Sequence, residues 1–149
     1  YLPDCKYSDS RLAGQWSGAS DYPEVAAAAL REMYRQKGNV LHLDDDGLAE
    51  RGLIVRHLVL PGSVANSLGV LRFLAEELSP RLTLSLMSQY CPIDAVADQP
   101  PLNRRLLPEE YAQVVAEMEH LGFTHGWVQE FSSADHYNPD FTRDSPFGE

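Results

Sequence analysis

The sequence predicts an α/β protein with about four parallel strands and covering helices, and three observations carry that prediction. Apolar runs of strand length alternate with stretches of helical period, in the order strand, helix, strand, helix, strand, helix, strand. The run Gly52-Leu53-Ile54-Val55-Arg56-His57-Leu58-Val59-Leu60-Pro61-Gly62 is rich in Val, Ile and Leu and closed by a turn dipeptide, as expected of a strand buried on both sides of a parallel sheet. Residues 82–90 alternate between apolar and mostly polar positions, which reads as another strand. Strands joined by such crossovers lie parallel, and functional groups gather at their carboxyl ends.

The first element is Tyr1-Leu2-Pro3-Asp4-Cys5-Lys6-Tyr7, read as a strand with Leu2, Asp4 and Lys6 on one face and a local ion pair between the charged two. A helix follows from Asp21-Tyr22-Pro23-Glu24, where Asp21 and Glu24 fit a capping box and Pro23 suits the first turn. It runs to Gly38 with Val25, Ala29, Leu30 and Met33 as its apolar stripe. Asp44-Asp45-Asp46-Gly47 lacks the spaced oxygen ligands and distant glutamate of a calcium loop and reads as a solvated turn. After Pro61-Gly62-Ser63, Ser67 is the expected cap of a helix reaching Leu78, with Val70, Leu71, Leu74 and Leu78 inward. In residues 82–90, Leu82, Leu84 and Leu86 face the helices; Thr83, Ser85, Met87 and Gln89 give the other side the polarity of a wet cavity. Cys91 to Leu107 is a long loop whose Arg104-Arg105 pair reads as solvated. A last helix starts at Pro108 with Tyr111, Val114, Val115, Met118 and Leu121 inward, and Trp127–Phe131 is a short fourth strand. The core domain is thus expected over residues 1–131, with an irregular tail over 132–149.

At 149 residues the chain can bury about two-thirds of its unfolded surface around one core. Twelve Lys and Arg against 22 Asp and Glu give a net charge of −10, which argues against nucleic acid or an anionic membrane and toward a small molecule or another protein. Cys5 and Cys91 stand far apart with no Cys-x-x-Cys spacing, so neither a disulfide framework nor a structural zinc site is expected, and a reducing cytoplasm fits best. No apolar run reaches the ~20 residues that span a bilayer. His120, His125, Asp135 and His136 have no metal-ligand spacing.

Arg56 is the anomaly in its strand. A guanidinium keeps its charge and is rarely buried unpaired, so a strand that holds one is expected to deliver it to an anion in a cleft. His57 points to the opposite face and is expected to be a packed histidine. Asp4 and Lys6, Arg56, and Gln89 with Tyr90 lie in or near the ends of their strands and are expected to converge on one site, with Ser85 and Gln89 lining its cavity.

Three stretches, Tyr1–Tyr7, Arg51–Gly62 and Met87-Ser88-Gln89-Tyr90-Cys91-Pro92, resemble the carboxyl-terminal half of radical S-adenosylmethionine proteins, in particular those similar to pyruvate formate-lyase activating enzymes. The resemblance runs to about Phe131. It implies the C-terminal half of a partial (β/α)6 TIM-like barrel, in an oxidoreductase that cleaves S-adenosylmethionine reductively at a [4Fe-4S] cluster to give a 5′-deoxyadenosyl radical. It implies that Asp4 and Lys6, matching the family's Asp-x-Lys pair, and Arg56 bind the cofactor. It also places Tyr90, a weaker match, beside the substrate cavity, and adds a glycyl-radical protein as a partner.

The departures are as informative. The chain has no Cys-x-x-x-Cys-x-x-Cys loop and no Gly-Gly-Glu stretch, and neither Cys5 nor Cys91 matches a cluster ligand. The chain opens on Tyr1 without an initiator methionine, so a piece of a longer protein is expected, inactive as it stands, with no catalytic or metal-binding residues of its own. The alternative is a free-standing, non-catalytic small α/β binding or interaction domain derived from the half barrel. In either case an open barrel edge predicts self-association.

Overall fold

The computed structural model describes residues 1–131, and the tail expected over 132–149 lies outside them, as do Asp135 and His136. Three parallel strands form the main sheet in the order β3 (Ile54–Leu58), β4 (Thr83–Met87) and β5 (Gly126–Val128). Ile54 pairs with Thr83, Arg56 with Ser85 and Leu58 with Met87, and Ser85 pairs onward with Trp127. Residues 1–5 lie parallel along the free side of β3: Ile54 N donates to Tyr1 O at 3.0 Å, Arg56 N to Pro3 O at 2.9 Å and Cys5 N to Arg56 O at 2.9 Å. The expected first strand is present as an extended segment with a single bridge, Asp4 to Arg56. Neighbours across the sheet follow chain order without reversal, and the sheet is not closed into a barrel.

The connections explain why one face is covered. Helix α3 (Val64–Phe73), continued by a wider π turn over Leu74–Leu78, joins β3 to β4, and α4 (Pro108–His120) joins β4 to β5. Their inward residues Val70, Leu71, Leu74, Val114 and Met118 pack with Val55, Val59, Leu84 and Leu86 of the sheet and with Leu30 of α2 (Tyr22–Lys37) in one core. Residues of one parity along each strand enter that core, and those of the other parity face away from it. Residues 54–58 accordingly alternate between half-buried and buried. Among the described residues, the run expected to be buried on both sides is therefore covered on one side only, because crossover helices α3 and α4 lie on the same face.

Local chemistry moved several boundaries. The cap of α3 is Ser63, whose carbonyl receives Asn66 N and Ser67 N; Ser67, the expected cap, lies buried inside the helix. Asp21 makes no side-chain cap at α2, so the expected capping box does not form. Val25 is 60% exposed, and α2 buries Leu30 with Met33 and Tyr34 packed behind it. Two elements stand where none was expected. Helix α1 (Ser10–Ser17) is capped by Asp9, whose carboxylate accepts from Arg11 N at 2.7 Å, and ends on Gly18 in the left-handed region. A hairpin of β1 (His42–Leu43) and β2 (Ala49–Arg51) flanks the acidic turn, where Asp44 Oδ1 accepts from Asp46 N and Leu48 N. β4 and β5 are shorter than the expected 82–90 and 127–131. Among the described residues no helix is long and apolar enough to cross a membrane.

Candidate functional site

Among the described residues no helix covers the other face of the sheet, and that face carries the charged residues. Register puts Asp4, Arg56, Ser85 and Trp127 in one row across it. Neighbouring strands stand about 4.8 Å apart, so adjacent side chains in that row are within reach of one another. Arg56 Nε donates to Asp4 Oδ1 at 2.7 Å, and Lys6 Nζ lies 3.9 Å from Asp4 Oδ2. The three side chains keep 41% (Arg56), 33% (Asp4) and 54% (Lys6) of their exposure, so solvent reaches every charge in the cluster. The arrangement holds one carboxylate between two cations and leaves guanidinium N–H donors over for an anion.

Ser85 stands beside Arg56 on this face. Gln89 accepts from Gln129 Nε2 at 2.8 Å, and Tyr90 Oη donates to Leu102 O at 2.7 Å, tying the end of the strand to the long loop. Neither bond involves the charged cluster. The structure thus brings together Asp4, Lys6, Arg56 and Ser85 and commits the polar groups of Gln89 and Tyr90 to other partners. Burial raises the Tyr90 phenol above its ordinary pKa. Thr83, expected on the same side, is buried.

Sequence reasoning missed Trp127 and Gln129 as members of this face. Trp127 is 57% exposed one strand beyond Ser85, and the signal for it was the strand register, which places it level with Arg56. Arg104, expected to be solvated, forms a two-pronged pair with Glu110, whose carboxylate also accepts from Gly62 N at 2.7 Å and Leu107 N at 2.9 Å. Those donors hold the Glu110 carboxyl down at about 2, the Arg104 hydrogen bonds first among them. The effect is to clasp the loop after β4 to the turn after β3.

Cys5 Sγ lies on the covered face, 3% exposed, and burial pushes its thiol up to about 12, so it supplies no thiolate near neutral pH. Among the described residues no group of three or more His, Cys, Asp or Glu is placed to hold a metal ion. The residues present do not fit a [4Fe-4S] cluster. They do fit the amino-acid end of a small molecule, because an α-ammonium needs a carboxylate and an α-carboxylate needs a guanidinium or ammonium, and Asp4, Arg56 and Lys6 supply both kinds.

Fold and site together define a class: an α/β protein with a parallel sheet covered by helices on one face and a solvent-reachable charged cluster on the other. Comparison with protein-family models, with curated proteins and with solved structures gives no match to this chain.

Proposed function

We propose that this chain forms a cofactor-facing wall of a radical S-adenosylmethionine barrel of the glycyl-radical activase kind, as its sequence resemblance implies. The observation that carries the reading is the meeting of Asp4, Lys6 and Arg56 on the uncovered face of a parallel sheet. Two further features support it. Strands follow one another across the sheet in chain order, as in a barrel wall and unlike a doubly wound sheet, where the order reverses. The helices lie on the face away from the charges, so the charged face corresponds to a barrel interior.

In this reading Asp4 accepts hydrogen bonds from the ammonium of the methionine part of S-adenosylmethionine, and Arg56 and Lys6 donate to its carboxylate. Ser85, beside Arg56, lines the same cavity. S-adenosylmethionine held there would supply the hydrogen-abstracting chemistry that the resemblance implies. The present residues orient the cofactor and do no redox chemistry of their own. The cluster ligands the reading requires come from outside these 149 residues, and the partner it names is a glycyl-radical protein.

Calorimetric titration of the chain with S-adenosylmethionine tests the assignment. Binding is expected, weakened at least tenfold by Asp4→Asn or Arg56→Ala, with S-adenosylhomocysteine still bound because it keeps the amino-acid end. Failure of the unaltered chain to bind either compound removes the cofactor wall.

A second reading has its own observation. Asp4 is already neutralised within the fold by Arg56 and Lys6, and the described residues hold no cluster donors, which favours a non-catalytic α/β binding or interaction domain. That reading expects no cofactor binding and unaltered folding when Arg56 is replaced by Ala.

A further inference from the structure

The main-chain ladder between residues 1–5 and β3 ends at the bond from Cys5 N to Arg56 O. Of the five consecutive main-chain polar groups from Asp4 O to Lys6 O, Cys5 N is the one held by the ladder, and side chains bond the other four. Tyr22 Oη donates to Asp4 O at 3.0 Å and accepts from Lys6 N at 3.1 Å. His57 Nδ1 donates to Cys5 O at 2.7 Å, and Asn66 Nδ2 donates to Lys6 O at 2.9 Å. Asn66 Oδ1 then accepts from Ser8 N at 2.9 Å, so one amide holds both sides of the bend after the strand.

Each partner is itself fixed. A carbonyl only accepts, so the proton of the neutral His57 ring sits on Nδ1 and Nε2 accepts from Ser67 Oγ at 2.9 Å. His57 and Asn66 are 0% and 4% exposed. The Tyr22 hydroxyl, by accepting from one residue and donating to the carbonyl two before it, takes the place of a peptide unit of a further parallel strand at the sheet edge. The Tyr22 ring packs edge-on against Tyr7, with centroids 5.5 Å apart.

We propose that Tyr22, His57 and Asn66 are positioning residues that set the spread of Asp4 and Lys6 toward Arg56. The proposal rests on the reading of the charged face as a binding site. None of the three is among the residues that make the charge contacts, so their influence passes through the backbone. Holding the peptide planes on either side of Cys5 fixes the Cα–Cβ directions of Asp4 and Lys6, which is how a supporting layer preorganises a site.

The test uses Tyr22→Phe, which removes one hydroxyl and keeps the ring. The readout is the Arg56 Nε proton, followed by NMR in the full chain, because it reports the bond to Asp4 Oδ1 and does not touch Tyr22. Its exchange with water is expected to speed about fivefold, the equivalent of one ordinary hydrogen bond, while the Arg31 Nε proton, bound to Glu77, keeps its rate. A variant that melts earlier yet leaves Arg56 Nε exchange unchanged makes Tyr22 merely structural and overturns the proposal. S-adenosylmethionine titration separates this from the cofactor reading. If the unaltered chain binds and Tyr22→Phe binds about fivefold more weakly, both stand. If the unaltered chain does not bind, the cofactor reading falls, and the Arg56 Nε result alone decides positioning.

Discussion

His57 sits in the covered face with no exposed surface, its two ring nitrogens bound to Cys5 O and Ser67 Oγ. Burial lowers its pKa from 6.5 to about 4, against the hydrogen bond to Cys5, which raises it. The folded state therefore holds the neutral ring, while the unfolded chain takes up a proton below about 6.5. Stability from this residue is fully present above pH 6.5 and is lost as pH falls toward 4, by on the order of 3 kcal/mol. Urea unfolding across that window is expected to show the slope in the unaltered chain and to lose most of it in His57→Gln. A slope that survives the substitution assigns the acid sensitivity elsewhere. That His57 packs inward was legible from its position opposite Arg56 in the strand. Its use of Ser67 was not, because a serine four residues after Pro61-Gly62-Ser63 reads equally as a helix cap.

At the scale of elements, β5 shows how a backbone requirement outweighs a residue pattern. Gly126 has φ of +122°, and a Cβ there would meet the Leu84 carbonyl oxygen of β4. A side chain would thus force apart the pairing that holds β5 to the sheet. Gly126→Ala is expected to cost about 2–4 kcal/mol, from strain in the left-handed region plus damage to the β4–β5 ladder. Gly18→Ala, at the end of α1 with nothing within 4 Å of the new methyl, is expected to cost about 1 kcal/mol. Thermal unfolding of the two variants checks the ratio, and equal losses would mean that β5 contributes little to the fold. Helix α1 had a readable signal, Asp9 at the start and Gly18 at the end, but its eight residues make only about two turns and bury only Ala13. The strands and the longer helices announced themselves through periodicity, which needs length to show.

At the scale of the molecule, the uncovered face sets behaviour in solution. Leu2 and Trp127 are 56% and 57% exposed on it, with Ile54, Leu58 and Met87 half-buried between them. An apolar surface of this kind favours association, and the net charge of −10 opposes it. Added salt screens the repulsion and leaves the apolar attraction, so sedimentation is expected to show dimers that grow with ionic strength. Trp127→Glu is expected to return the chain to monomer. A chain that stays monomeric at high salt and concentration would show that this face needs no cover.

The sequence by itself determined the order of the main-sheet strands and the helices between them, the inward stripes of α3 and α4, and the shared face of Asp4 and Lys6, because each depends on spacing along one element. It also singled out Arg56 as a charge in an apolar strand. Only the tertiary structure decided that one face of the sheet stays uncovered, that Arg56 meets Asp4 there, and that Tyr22, His57 and Asn66 grip the segment between them. Those relations join residues up to 60 positions apart, as in the Asn66–Lys6 bond. They depend on which side of the sheet each crossover takes, and no local period records that.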